Sequence, residues 1–176
     1  MDIIEILVST LWFFAPAYFA NGAPLLLYKF LDSPHRIDRG SKYKDGRPLL
    51  GAGKTVECSL FGIFIGALSG LLMALIQAEI EFVYLPVMSL QLGLLLGTGA
   101  ILGDITASFL KRRLGYNRGE KFLLGDQLDF LLGSALLSSL ITFKPFLLVL
   151  AIFITPVIHK TANVFANKIE FKDVAW

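Results

Sequence analysis

Cysteine is nearly absent. Cys58 is the only one in 176 residues, which excludes an intrachain disulfide and leaves the redox compartment open. A free cysteine of this kind is ordinarily a small, buried packing residue. Histidine is almost as scarce, with only His35 and His159, so no Cys/His zinc cluster and no Ser-His-Asp or Cys-His arrangement stands out. Charge is short too: 17% of residues are charged and 55% hydrophobic, where a soluble domain carries about 25% charged residues. The apolar residues come in blocks rather than at helical or strand spacing, and blocks of about 20 mark membrane-spanning helices. No segment is left for a soluble domain of useful size. A convincing secretory signal is also missing. Residues 6–20 are apolar enough to imitate one, but Asp2 and Glu5 precede them where Lys or Arg is needed.

What is present reads as one all-α integral membrane domain with about five spans, at residues 3–28, 56–78, 82–110, 122–143 and 146–166. Two polar segments, 29–55 and 111–121, interrupt them and are expected to form a polar site at one membrane face. The run Asn21-Gly22-Ala23-Pro24 near the end of the first span suggests a break at the interface; Asn21 is either part of a plain terminus or a group facing that site. Gly62, Gly66 and Gly70 recur every fourth residue, a pattern that lets helices pack closely in lipid.

The distribution of basic residues sets the orientation. Seven Lys/Arg fall in the first polar segment, five in the second and three near the C-terminus, leaving only Lys144 on the other side. The positive-inside rule then predicts an outside N-terminus, an inside C-terminus and two cytoplasmic loops.

Chemistry concentrates in Gly103–Asp129. Asp104, Ser108 and Lys111 are spaced by four and three residues and share one helical face. Arg112 and Arg113 follow, and Asp126 and Asp129, three apart, are neighbours on the next helix. An acid near a membrane boundary points to function, although an interfacial Asp104 paired with Lys111 would explain it blandly. Paired carboxylates without Cys or His favour a hard cation such as Mg²⁺, which keeps waters and binds substrate phosphates. Lys111, Arg112 and Arg113 can hold further phosphate oxygens. In the first loop, Gly53-Lys54-Thr55 imitates the end of a phosphate-binding loop, but Pro48 stands where that motif needs glycine. Lys54 and Thr55 still open a helix, whose N-terminus attracts anions; an ordinary cap is the alternative. A metal-and-phosphate site at a membrane surface suggests phosphoryl or nucleotidyl transfer to a lipid.

These residues resemble a known family. Ser108-x-x-Lys111-Arg112 followed by Asp126-Gln127-x-Asp129 is similar to the signature of CDP-diacylglycerol synthases, though the linker is shorter, a Gly-rich segment with its His is absent and Gln127 replaces Arg. The archaeal CDP-archaeol synthase family is closer. Its pattern is matched by Asn21-x-x-Pro24, Ile37-Asp38-x-Gly40, Asp45-Gly46-Arg47, Gly51-x₂-Lys54-Thr55 and Gly103-Asp104-x₃-Ser108-Phe109-x-Lys111-Arg112-Arg113. Gly115, Gly119, Asp126-Gln127-x-Asp129, His159-x₃-Asn163 and Lys172-Asp173-Val174 continue it, with Ala175 where Pro is expected.

The resemblance spans the whole chain. It implies Mg²⁺-dependent transfer of CMP from CTP to the phosphate of an isoprenoid ether lipid. It assigns Asp126 and Asp129 to the metal, with Asp104 sharing that task or orienting Lys111 and Ser108. Lys111, Arg112 and Arg113 would hold phosphate, with Lys54 and Thr55 as a second clamp. The loop around Arg47 would close over the nucleotide, and Asn21 and Asn163 would complete the binding set. Nucleic acid is not an expected partner, and a homodimer is left open. Two other readings stand beside this one: a cytidylyltransferase acting on ester-linked phosphatidic acid, and a small cation-coupled transporter.

Overall fold

The computed structural model describes residues 2–80, 84–117, 120, 122 and 125–168, with side chains through Thr161. It is all-helical: α1 (Ile3–Tyr28), α2 (Val56–Glu79), α3 (Leu90–Arg113), α4 (Gly125–Ser138) and α5 (Pro145–Lys168). The first three are each long and apolar enough to cross a bilayer.

Asp2 starts α1 with a capping box, its carboxylate accepting from the Glu5 amide while Glu5 accepts from the Asp2 amide, both at 2.8 Å. The acids that argue against a signal peptide thus begin a spanning helix. The expected break at Asn21–Pro24 does not occur: α1 runs through Pro16 and Pro24 to Tyr28. Each proline removes one backbone donor, which packed membrane helices tolerate, and Ala20 and Ala23 remain buried here.

Helix α3 begins at Leu90, eight residues later than the apolar pattern suggests. The side chain of Gln77, on α2, explains the delay. It accepts from the Met88 amide at 2.8 Å and donates to the Pro86 carbonyl at 3.0 Å, so this stretch satisfies its backbone without coiling. Ser89 then caps the helix by accepting from the Leu92 amide at 3.0 Å. Helix α4 has 14 residues, not the 22 of its apolar run. At ~1.5 Å per residue it is about 21 Å long, short of a ~30 Å hydrocarbon core. The chain turns at Ser138, whose carbonyl accepts from the Thr142 amide at 2.8 Å.

Glycine contacts hold α3 against both neighbours. A Cβ on Gly66 would lie 2.6 Å from the Gly97 Cα, and one on Gly93 would lie 2.6 Å from the Gly70 Cα. On the other side, a Cβ on Gly103 would strike the Asp129 carbonyl oxygen. Without these close approaches the two acid-bearing helices could not sit side by side. Ser134 adds a buried tie, donating to the carbonyls of Leu96 at 2.8 Å and Phe130 at 2.6 Å. Phe13, Phe14, Leu92, Leu96, Phe130 and Leu131 form the fully buried centre. Tyr18 joins α1 to α5 through a 2.7 Å hydrogen bond with Thr155.

The first polar segment is an ordered loop, as its composition suggests. Isolated bridges pair Lys42 with Pro48 and Arg36 with Thr55. Asp38, only 5% exposed, accepts from the Gly40 amide at 2.9 Å and the Leu50 amide at 3.0 Å. That buried carboxylate folds the loop back so that Gly51–Lys54 returns to α3.

Candidate functional site

Lys54, Asp104, Ser108, Lys111, Arg112, Asp126 and Asp129 line one cavity of about 250 Å³, together with Gly51 and Gly53. Three polypeptide segments supply them: the first loop, the last turns of α3 and the first turns of α4. Asp104 lies nine residues before Arg113, the last residue of α3. At ~1.5 Å per residue the chamber therefore reaches about 14 Å down the helix.

Charges near a membrane interior are stabilised by pairing, and here each lysine is paired with an acid. The Lys54 ammonium donates to both oxygens of Asp104, at 2.6 and 2.5 Å. The Lys111 ammonium donates to both oxygens of Asp126, at 2.8 Å each. This differs from the bland expectation of an Asp104–Lys111 pair, since Asp104 pairs across the chain with Lys54. Asp129 takes the Phe130 amide at 2.6 Å, and Asp126 takes the Phe122 amide at 3.1 Å. Two ammonium groups and three carboxylates thus face a small space able to accept a polyanion and a cation together.

Several residues expected at the site do other work. Thr55 is fully buried and caps α2, accepting from the Cys58 amide at 3.4 Å. Arg113 turns away from the chamber. It pairs with Asp45 at 2.5 Å, donates to the Pro48 carbonyl, and lies 4.7 Å from the Tyr43 ring centroid and 5.2 Å from that of Phe109. Arg47 donates to the carbonyls of Arg112 at 3.4 Å and Arg113 at 3.1 Å, closing the C-terminus of α3. Asn21 meets His159 at 3.4 Å and does not line the cavity. His159 also packs on Phe130, centroids 5.5 Å apart, in keeping with a packing role. The Asn163 side chain, Gly119 and the Lys172-Asp173-Val174 tail lie outside the described residues.

Two further cavities adjoin the chamber. One, of about 510 Å³, is an apolar groove between α3 and α4 lined by residues such as Leu102, Leu110, Leu128, Leu132 and Leu136, and it reaches Asp129. The other, about 230 Å³, lies between the two loops and shares Gly51 and Arg112 with the chamber. Its edge includes Asn117, whose side chain and backbone amide hydrogen-bond Glu120 and hold that carboxyl below the usual carboxylate range. Charge and helical spacing point to the chamber residues; nothing in the sequence flags Tyr116 or Asn117, because their position depends on how the two loops meet.

Among the described residues, no three His, Cys, Asp or Glu side chains form a closed metal cage. Asp126 and Asp129 remain neighbours on the first turns of α4, both on the chamber wall. Such a partial carboxylate set suits Mg²⁺, which is commonly held by one or two carboxylates plus water and substrate phosphates.

An acid-and-lysine chamber sunk among apolar helices defines a multi-pass membrane enzyme working on anionic groups at a bilayer face. The comparisons with known proteins agree. Residues 3–176 match the CarS-like family of CDP-archaeol synthases. A CDP-archaeol synthase from Archaeoglobus fulgidus is 35% identical over 98% of this chain and 99% of its own length. One from Thermococcus gammatolerans is 36% identical over the whole of both chains. A solved structure, described as an intramembrane enzyme for archaeal membrane lipid biosynthesis, superposes with a TM-score of 0.74 at 34% identity, covering 88% of this chain and 92% of the other. The chain belongs to the CDP-archaeol synthase family, and it is an enzyme, a CTP-dependent cytidylyltransferase.

Proposed function

We propose that the chain transfers CMP from CTP to the phosphate of unsaturated archaeol phosphate, giving CDP-archaeol and pyrophosphate, with Mg²⁺ held by Asp126 and Asp129. One observation carries this reading: Asp129 stands in the wall of both the charged chamber and the apolar groove. A lipid with its chains between α3 and α4 therefore brings its phosphate to the place where the chamber can present a nucleotide. Two aqueous substrates would not need the groove, and an ion path would not need it to be apolar.

The acceptor phosphate has a second pKa of about 6, so near neutral pH it is already largely dianionic and needs no base. One of its oxygens attacks the α-phosphorus of CTP, a new P–O bond forms, and the bond to the bridging oxygen breaks to release pyrophosphate. No proton has to move. The barrier is repulsion between anions and charge gathering on the leaving group. Lys54 and Lys111 answer both, since each can exchange its carboxylate partner for phosphate oxygens as substrate enters. Asp104 and Asp126 hold those ammonium groups in position beforehand. Arg112, 9% exposed on the chamber wall, is a further donor. When bound, Mg²⁺ would supply charge neutralisation on the phosphates. The concentration of Lys and Arg in both loops supports a cytoplasm-facing chamber with the N-terminus outside.

The test supplies purified protein with radiolabelled CTP, Mg²⁺ and either the ether-linked isoprenoid phosphate or ester-linked phosphatidic acid. Lipid-soluble label is expected, greater with the ether lipid. No lipid-soluble label with either acceptor, together with cation flux into liposomes, would overturn the reading in favour of a transporter.

A further inference from the structure

The first loop carries a charged surface that the chemistry above does not use. We propose that Arg39, Lys42 and Lys44 dock this loop on the anionic headgroups of the bilayer that holds the protein. None of the three lines the chamber or the cavity beside it, so the inference stands apart from the transfer reaction.

Orientation and pairing come first. The Tyr43 amide donates to the Arg47 carbonyl and the Leu49 amide to the Ser41 carbonyl, each at 2.9 Å, which makes this part of the loop a hairpin. Tyr43 turns toward α3, its ring 5.8 Å from that of Phe109 and against the Arg113 guanidinium. Successive residues of an extended chain point to opposite faces. Lys42 and Lys44, on either side of Tyr43, therefore face away from α3, and both are exposed. The neighbouring acids are engaged elsewhere. Asp38 is buried on the Gly40 and Leu50 amides, and Asp45 pairs with Arg113. Among the described residues, Arg39, Lys42 and Lys44 have no carboxylate partner.

Depth is the next observation. Phe109 lies four residues before Arg113, the last residue of α3, or ~6 Å along the axis. The hairpin therefore sits beside the final turn of a spanning helix, not beyond its end. Leu110 and Leu114, 49% and 63% exposed, carry apolar surface to this level. Tyr43, 44% exposed, is an aromatic of the kind that settles at headgroup depth. Each cation held there gains about fivefold in affinity for an anionic leaflet.

The backbone adds an independent sign. Arg39 holds a φ of 50°, and Gly40 follows at 78°. Glycine adopts such angles without penalty, whereas other residues seldom do. The chain nevertheless keeps a long cation at the first of these positions, exposed and without an ion pair. An unfavourable backbone conformation under a side chain that the fold does not use points to a role outside the fold. The three cations do not converge on any of the cavities described. A dispersed set of this kind matches a surface of many charges, the lipid headgroups, better than one bound phosphate.

The experiment places the full chain, with Ser41→Cys carrying a fluorophore, in vesicles of phosphatidylcholine alone or with about 30 mol% phosphatidylglycerol. Cys58 is buried and stays unlabelled. Acrylamide, an uncharged quencher, reports how freely water reaches the dye. The anionic vesicles are expected to cut the quenching constant about threefold or more, and about 1 M salt, with its ~3 Å screening length, to restore it. Lys42→Gln combined with Lys44→Gln is expected to abolish this protection. Arg39→Gly, which removes a cation while easing the backbone, is expected to lose about half of it; a purely structural Arg39 would leave protection whole. Equal quenching in the two vesicles, or full protection in either variant, overturns the proposal. So does protection by millimolar inorganic phosphate in neutral vesicles, which would make the patch a site for soluble anions.

Discussion

At the scale of single residues, position divides groups of the same charge into different roles. Lys111, Arg112 and Arg113 are consecutive, yet helical rotation sends the first two to the chamber and the third to the loop. Arg113 is bound by an ion pair, a carbonyl and two aromatic rings. It fastens the Lys42–Pro48 hairpin onto α3. Losing such a set costs on the order of 1–2 kcal/mol, from a cation–π contact and a partly exposed ion pair, which is about tenfold in the population of the undocked loop. Arg113→Ala is therefore expected to speed tryptic cleavage in residues 38–48 about tenfold under native conditions. Unchanged cleavage with a collapse in turnover would mean that Arg113 serves the chemistry instead. Residue type announced cations near the membrane; it did not announce their partners. Thr55 shows the same limit, since a residue that opens a helix can cap it or bind an anion and here caps it.

At the scale of elements, the acid-bearing helices are positioned by what glycine omits. Gly103 lets the Asp129 backbone approach α3 closer than any side chain would permit. Gly103→Ala must push α4 outward, and a displacement near 1 Å at a transfer site can cost about 100-fold in rate. A loss of that order is expected, along with a lower melting temperature. Gly22→Ala serves as the control: a Cβ there meets nothing within 4 Å, so activity and melting should stay at wild-type levels. Equal effects from the two substitutions would remove the close-contact explanation. The five apolar runs are legible as helices because each is long and bounded by charge. Their ends are less so. The start of α3 depends on a side chain of α2, Gln77, capturing the Pro86 and Met88 backbone. The end of α4 depends on a serine-terminated turn inside a run that stays apolar to Phe143. Neither device leaves a mark in local hydropathy.

At the scale of the whole molecule, the fold gathers groups from distant parts of the chain where water, bilayer and protein meet. Asp104 and Lys54 lie fifty residues apart in sequence and form an ion pair. The chamber residues carry a sequence signal because acids and bases are rare in so apolar a chain. The apolar groove beside them carries none, since every helix here is rich in leucine. Only the juxtaposition of α3 and α4 distinguishes groove-lining residues from those that merely face lipid.

The central claim is that the α4 carboxylates, in this shared chamber, support transfer of a cytidylyl group to lipid. The most direct measurement is the rate at which Asp126→Asn and Asp129→Asn convert radiolabelled CTP into lipid-soluble product, with helix content monitored by circular dichroism. We expect wild-type helix content and a fall of at least 100-fold in rate for each, in line with removal of a group that stabilises developing charge. Near-wild-type rates in both variants would contradict the account.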